Sequence, residues 1–146
     1  MLFEQINPSD RIYVSGHNGM VGSAICRKLL KYGFGNPKLG GCLLTANKKE
    51  LNLKNTIEVE DWFSKNKPEI VISAAARVGG IQAHRNFPAD FLLENLKIQN
   101  NLIENSYKVG VKRFLFIASS CIYPFNSNEL TNENSLMESN IDSDNQ

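Results

Sequence analysis

Between a short β-prone run and an apolar helical stripe, the chain carries three glycines at three-residue spacing, in Gly16-His17-Asn18-Gly19-Met20-Val21-Gly22. No other feature restricts its fold as much. Glycines so placed serve three needs: a tight turn out of a strand, a backbone that can approach a pyrophosphate, and close helix–strand packing. A helix starting there also offers free N–H groups and the positive end of its dipole to phosphate. The flanks suit this reading. Arg11-Ile12-Tyr13-Val14-Ser15 is strand-like after the turn residues Asn7-Pro8-Ser9-Asp10, and Val21, Ile25, Leu29 and Tyr32 recur at helical spacing. The competing reading is a glycine-rich turn without a ligand, with His17 as turn filler. A P-loop is disfavoured, since no Gly-Lys-Ser/Thr appears.

The rest of the chain alternates strands and helices. Cys42-Leu43-Leu44-Thr45 is a weak second strand, reached through a glycine-rich loop. Asn55, with Glu58 three residues on, caps a helix that turns Val59, Trp62 and Phe63 inward. After Pro68, Glu69–Ser73 reads as a buried third strand. Pro88 opens a long helix with Phe91, Asn95, Ile98 and Leu102 on one stripe and Leu92, Leu96, Ile103 and Tyr107 beside it. Gly110 closes it, and Arg113–Ala118 is the fourth strand. Alternation of this kind predicts an α/β fold, a Rossmann-type doubly wound parallel sheet. The expected form is truncated, with four strands in the order 3-2-1-4 and the fourth an exposed apolar edge. Residues 1–124 are expected to form one incomplete dinucleotide-binding domain. Residues 125–146, rich in Asn, Ser, Glu and Asp, are expected to be loop or disordered tail.

Composition excludes several classes of partner. A net charge of +1 over 146 residues supplies no basic field for nucleic acid or anionic lipid. No segment reaches the roughly 18 apolar residues of a membrane span, and the start has no charged region followed by a long apolar run. Cys26, Cys42 and Cys121 are odd in number, far apart and without C-x-x-C spacing, so reduced thiols and a cytoplasmic setting are expected, and no metal site.

The residue after the second strand sets cofactor choice in such folds. An acidic side chain there holds the ribose 2′-hydroxyl of NAD. In Thr45-Ala46-Asn47-Lys48-Lys49-Glu50 the first charges are two lysines, which suit the extra phosphate of NADP or form an ordinary solvated pair.

Several segments together resemble one family. Gly16–Gly22 with the following Ser-Ala-Ile, and Glu50-Leu51-Asn52-Leu53, are similar to the start of an extended short-chain dehydrogenase/reductase. Ala74-Ala75-Ala76-Arg77-Val78-Gly79-Gly80-Ile81, Pro88-Ala89-Asp90-Phe91 and Ser119-Ser120-Cys121-Ile122-Tyr123-Pro124 narrow the likeness to the GDP-L-fucose synthases. It runs from about Arg11 to about Pro124. The resemblance implies a nucleotide-sugar epimerase/reductase acting on GDP-4-keto-6-deoxy-mannose with NADPH. It implies that Gly16, His17, Asn18, Gly19, Met20, Val21 and Gly22 surround the pyrophosphate. Lys48 would meet the 2′-phosphate, and Asn52, Leu53, Ala74, Ala75, Ala76, Asn95, Ala118 and Ser120 would complete the cofactor site. Asn18 stands where the family often has an arginine.

For catalysis, the resemblance assigns Ser119 to polarising the sugar's keto oxygen and Cys121 to moving protons at the ring. Read alone, the Ser-Ser pair is a common turn and the cysteine common packing. Asn95 is expected to bond backbone near the cofactor. Arg77, His84 and Arg85 carry no assigned role.

The chain departs from the family in a second respect. The family's proton donor is a tyrosine paired with a lysine four residues on, and no Tyr-x-x-x-Lys follows Cys121; Tyr123 has Ser127 at the lysine offset. In a full-length relative the pair and a sugar-nucleotide domain are expected beyond Gln146. The expected partners are thus a GDP-sugar and a homodimer or complementing chain. The alternative is a truncated, non-catalytic dinucleotide-binding module.

Overall fold

The computed structural model describes residues 5–123 and 133–136, with the side chain of Cys121 outside it. The chain runs β1 (Arg11–Ser15), α1 (Met20–Lys31), β2 (Cys42–Leu44), α2 (Thr56–Asn66), β3 (Ile70–Ser73), α3 (Ile81–Asn86), α4 (Pro88–Lys108) and β4 (Arg113–Phe116). All three strand pairings are parallel. The α/β doubly wound reading holds, including a β4 that, among the described residues, pairs on one side only and exposes Leu115 and Phe116. The 125–146 tail lies outside the described residues except for a single 3-10 turn at Glu133–Ser135.

The strand order is 2-1-3-4, not the expected 3-2-1-4. Burial gives the reason. Ile70, Val71 and Ile72 are all buried, so β3 needs cover on both faces and a strand on each side, which only an interior place supplies. β2, three residues long and half-buried throughout, takes the edge instead. The segment between β2 and α2 folds as hydrogen-bonded turns at Asn47 and Asn52. The chain therefore crosses β1 on its way from β2 to β3. That reversal lies between β1 and β3, and in open α/β sheets ligands bind in the crevice at such a switch point, beyond the carboxyl ends of the strands.

Alternating strand residues feed two cores. Ile12, Val14, Ile70 and Ile72 pack against Ile25, Leu29 and Phe34 on the α1 side. Tyr13 and Val71 pack against Val59, Phe63 and Leu102 on the α2/α4 side. Tyr13 sits edge-on to Phe63 at 5.8 Å and tilted against Trp62 at 4.4 Å. Of the stripe expected on α1, Ile25 and Leu29 reach the core, whereas Val21 and Tyr32 are exposed.

Asn55 caps α2 as its sequence implies, accepting from the N–H groups of Ile57 (3.1 Å) and Glu58 (3.4 Å). Glu58 reaches back to the N–H of Asn52 at 3.0 Å, beyond the usual capping position, and so pins the turn ahead of the helix. The short α3 precedes Pro88. Its N-cap Gly80 makes no side-chain hydrogen bond.

At the opposite end of the sheet from this crevice, charges tie three strand starts together. Lys112 reaches the carboxylates of Asp10 (3.1 Å) and Glu69 (2.6 Å), while Glu69 also accepts from the Arg11 N–H at 3.0 Å. Hydrogen bonds to Glu69 and then Asp10 push the Lys112 ammonium up to about 12, and the bond from Lys112 holds Glu69 below the usual carboxylate range.

Candidate cofactor-binding site

Beyond the carboxyl ends of β1 and β3 lies a cavity of about 870 Å³. Its floor is the glycine turn. Gly16 takes the left-handed conformation (φ 71°), and a Cβ there would stand 2.6 Å from the Ala74 carbonyl oxygen, so no side chain fits. At Gly22, buried in the first turn of α1, a Cβ would collide with the Gly16 carbonyl. These two close approaches press the turn flat against both β3 and α1. Gly19 caps the helix without a side-chain hydrogen bond, and the first turn holds no acidic residue. Its opening N–H groups are therefore left for an external acceptor. His17 adds a buried Nδ1 with no hydrogen-bond partner among the described residues. A backbone cradle of this kind, with an orphaned polar atom beside it, fits a phosphate-bearing group.

Three further segments make the walls. The turn after β2 is self-braced: Asn47 accepts from the Lys49 and Glu50 N–H groups at 2.9 and 3.2 Å, and Glu50 accepts from the Asn47 N–H at 2.8 Å. Lys48 sits exposed at its crest and lines the cavity. Asn52 and Leu53 form the next wall. Glu58 holds the first, and Asn101 of α4 donates to the Leu53 carbonyl at 2.8 Å while accepting from the Thr56 hydroxyl at 3.0 Å. Ala74, Ala75 and Ala76 form the third wall, small enough for a ligand to lie close. Ser15 fixes it, its hydroxyl accepting from the Ala75 N–H at 3.3 Å.

Asn95 does not line the cavity; it clasps the backbone of Arg77, accepting from its N–H at 2.7 Å and donating to its carbonyl at 3.0 Å. That is the supporting role its place on the inward stripe implies. Next to it, Glu94 joins the Arg77 guanidinium (2.6 Å) to the Lys54 ammonium (3.0 Å). The bond from Lys54, then that from Arg77, keeps the Glu94 carboxyl below its ordinary range. Arg77 also lies over the Phe91 ring at 4.6 Å.

The expected site residues thus separate. Gly16 to Gly22, Lys48, Asn52, Leu53, Ala74, Ala75 and Ala76 converge on one cavity. Ala118, Ser119 and Ser120 are exposed on the segment leaving β4 and are not among its lining residues. Cys121 stands in the 3-10 turn Ser120–Ile122, with its side chain outside the described structure. Sequence reading missed Ser15, Lys54, Glu94 and Asn101. Their partners lie far along the chain.

The model of the NAD dependent epimerase/dehydratase family matches residues 12–143. The chain belongs to that family. Among curated proteins it is 45% identical over 138 residues to GDP-L-fucose synthase 1 of Arabidopsis thaliana, which covers 94% of this chain and 41% of the relative. It is 37% identical over 136 residues to the GDP-L-fucose synthase of Escherichia coli, covering 93% of this chain and 40% of the relative. Among solved structures, a GDP-mannoheptose C4 reductase from Campylobacter jejuni with NADP bound superposes with a TM-score of 0.83 at 35% identity, over 96% of this chain and 42% of that one. The chain spans about two-fifths of the length of the relatives it matches. Among the described residues no helix is long and apolar enough to cross a membrane, and no group of His, Cys, Asp or Glu could hold a metal ion.

Proposed function

We propose that this chain is the NADP-binding part of a nucleotide-sugar epimerase/reductase of the GDP-L-fucose synthase type. The observation that carries the proposal is the meeting, in one cavity at the sheet's switch point, of the Gly16–Gly22 turn, Lys48 and the Ala74–Ala76 wall. Identity to the fucose synthases and to a GDP-sugar reductase with NADP bound supports the same reading.

Bound NADPH would supply the hydride for reduction of a 4-keto sugar. The chain's own contributions are binding and orientation. The turn at Gly16–Gly22 and the start of α1 hold the pyrophosphate, and Lys48 meets the 2′-phosphate. Asn52, Leu53 and the three alanines flank the nucleotide, with Asn95 and Asn101 bracing the walls from α4. Ser119 hydrogen-bonds the keto oxygen and stabilises the negative charge that develops there. Cys121 moves a proton at the sugar ring. The substrate class is a GDP-sugar, GDP-4-keto-6-deoxy-mannose in the first instance.

A second reading has a specific observation in its favour. Ser119 and Ser120 are exposed and are not among the residues lining the cavity. On that reading the chain is a nucleotide-binding module that does no chemistry unaided. The two readings are separated by NADPH oxidation with the keto sugar nucleotide, run on the chain alone and again with the separately expressed carboxy-terminal part of a related enzyme. Binding of NADPH without turnover is expected from the chain alone. General acid–base assistance is worth about 10²–10⁴ in rate, and substrate orientation roughly 7–11 kcal/mol of the barrier, and the chain alone is expected to supply neither in full. Turnover on complementation, lost in Ser119→Ala, supports the enzyme reading. Failure of every complementing chain to restore turnover supports the module. Ser119-dependent turnover by the chain alone contradicts the expectation of inactivity.

A further inference from the structure

Both loops that wall the cavity are held by α4. Asn101 binds the Leu53 carbonyl in the segment after β2, and Asn95 clasps the main chain of Arg77 in the segment after β3. One residue reaches both. The Glu94 carboxylate gives one oxygen to each side, with Oε2 3.0 Å from Lys54 Nζ and Oε1 2.6 Å from the Arg77 guanidinium. All three side chains line the cavity, and each is about a third exposed. The Arg77 end is anchored. Its guanidinium lies over the Phe91 ring at 4.6 Å, and Asp90, one turn before Glu94 on α4, approaches it at 4.0 Å. The Lys54 end belongs to a short turn, in which Asn52 accepts from the Lys54 N–H at 3.2 Å. Glu94 thus ties a turn to a fixed point across the cavity.

A single exposed ion pair contributes little, but a carboxylate shared between two cations forms a network with defined geometry. We propose that Glu94 is a positioning residue for the nucleotide: its two-way bridge fixes the spacing between the Asn52–Lys54 wall and the Ala74–Arg77 wall. The inference rests on the reading of this cavity as a dinucleotide site. Walls set before the ligand arrives lower the ordering cost of binding. Glu94 acts through Lys54 and Arg77 and leaves Lys48, which makes no ion pair among the described residues, as the cation offered to the ligand. Removing the carboxylate has two opposed effects. It releases two cations toward an anionic ligand, which favours binding, and it frees the walls, which disfavours it. At about 0.15 M salt, where charges are screened beyond about 8 Å, the loss of wall spacing is expected to win.

Calorimetric titration of NADPH at that salt tests this, with far-UV circular dichroism to confirm that each variant folds. Glu94→Gln keeps the side chain's shape and is expected to weaken NADPH binding about fivefold. Lys54→Met is expected to weaken it less, and the double variant no more than Glu94→Gln alone, because the two act through one bridge. Glu104→Gln, whose carboxylate pairs with Lys108 farther along α4, is the control and should bind as the wild type does. Backbone amide shifts of the nucleotide-free chain give a readout that a general loss of stability does not move. Lys54→Met should displace the amides of residues 76–78 on the opposite wall, and should no longer do so in the Glu94→Gln background. Unchanged or tighter NADPH binding by Glu94→Gln overturns the proposal. So do additive losses in the double variant, or amides at 76–78 that ignore Lys54→Met. A folded wild type that binds no NADPH overturns instead the reading of the cavity, and the proposal with it.

Discussion

At the scale of single residues, the cavity depends on atoms that are absent as much as on those present. A methyl group at Gly22 would meet the Gly16 carbonyl, so Gly22→Ala must part the turn from α1. Overpacking of this kind costs about 1–3 kcal/mol. Urea denaturation should register that loss, and NADPH titration should show affinity falling further than stability does, because the cradle itself moves. On the proposed reading, Lys48 acts by charge. A charge-assisted contact is worth about 1.5–3 kcal/mol when sheltered and less at an exposed crest. Lys48→Ala should therefore lower NADP affinity several-fold while leaving NAD unchanged in parallel calorimetric titrations. Equal NADP binding by both proteins would remove Lys48 from the site. The places of both residues at the cavity were legible in the sequence because each is set by the local turn it occupies. Glu94, Asn101 and Ser15 were not, since each serves the cavity through a partner distant along the chain that only the folded sheet and α4 bring near.

At the scale of elements, the Asp10–Lys112–Glu69 cluster links the starts of β1, β3 and β4 on the side away from the cavity. Glu69 is held below the ordinary carboxylate range in the folded chain, first by the bond from Lys112. Its contribution is thus fully present above the unfolded value of about 4.3, and it fades as pH falls through the lower folded value. Lys112, raised to about 12, contributes below its unfolded value and loses that contribution as pH climbs through about 12. Glu69→Gln should flatten the acid limb of a stability-versus-pH curve measured by thermal melting. An acid limb as steep as the wild type's would place the acid sensitivity elsewhere. Capping of α2 by Asn55 was legible because the cap and the groups it satisfies lie within three residues. Strand order was not read correctly, because the side on which a strand inserts is decided by pairing across the sheet. The unbroken apolar run Ile70-Val71-Ile72 was the available signal that β3 is interior. α3 escaped notice for want of a side-chain cap and of length.

At the scale of the whole molecule, the corrected strand order strengthens the case for a ligand site. An order of 3-2-1-4 would have set β3 away from β1, whereas 2-1-3-4 puts the glycine turn and the Ala74–Ala76 loop on either side of one crevice. The central claim is that this crevice binds NADPH through the Gly16–Gly22 turn. It is tested most directly by titrating NADPH into isotope-labelled chain and following backbone amide shifts residue by residue. Saturable shifts are expected at residues 16–22, 46–54 and 74–78, with loss of saturation in Gly22→Ala. Saturable binding that left the Gly16–Gly22 amides unmoved, or no binding by a folded chain, would contradict it.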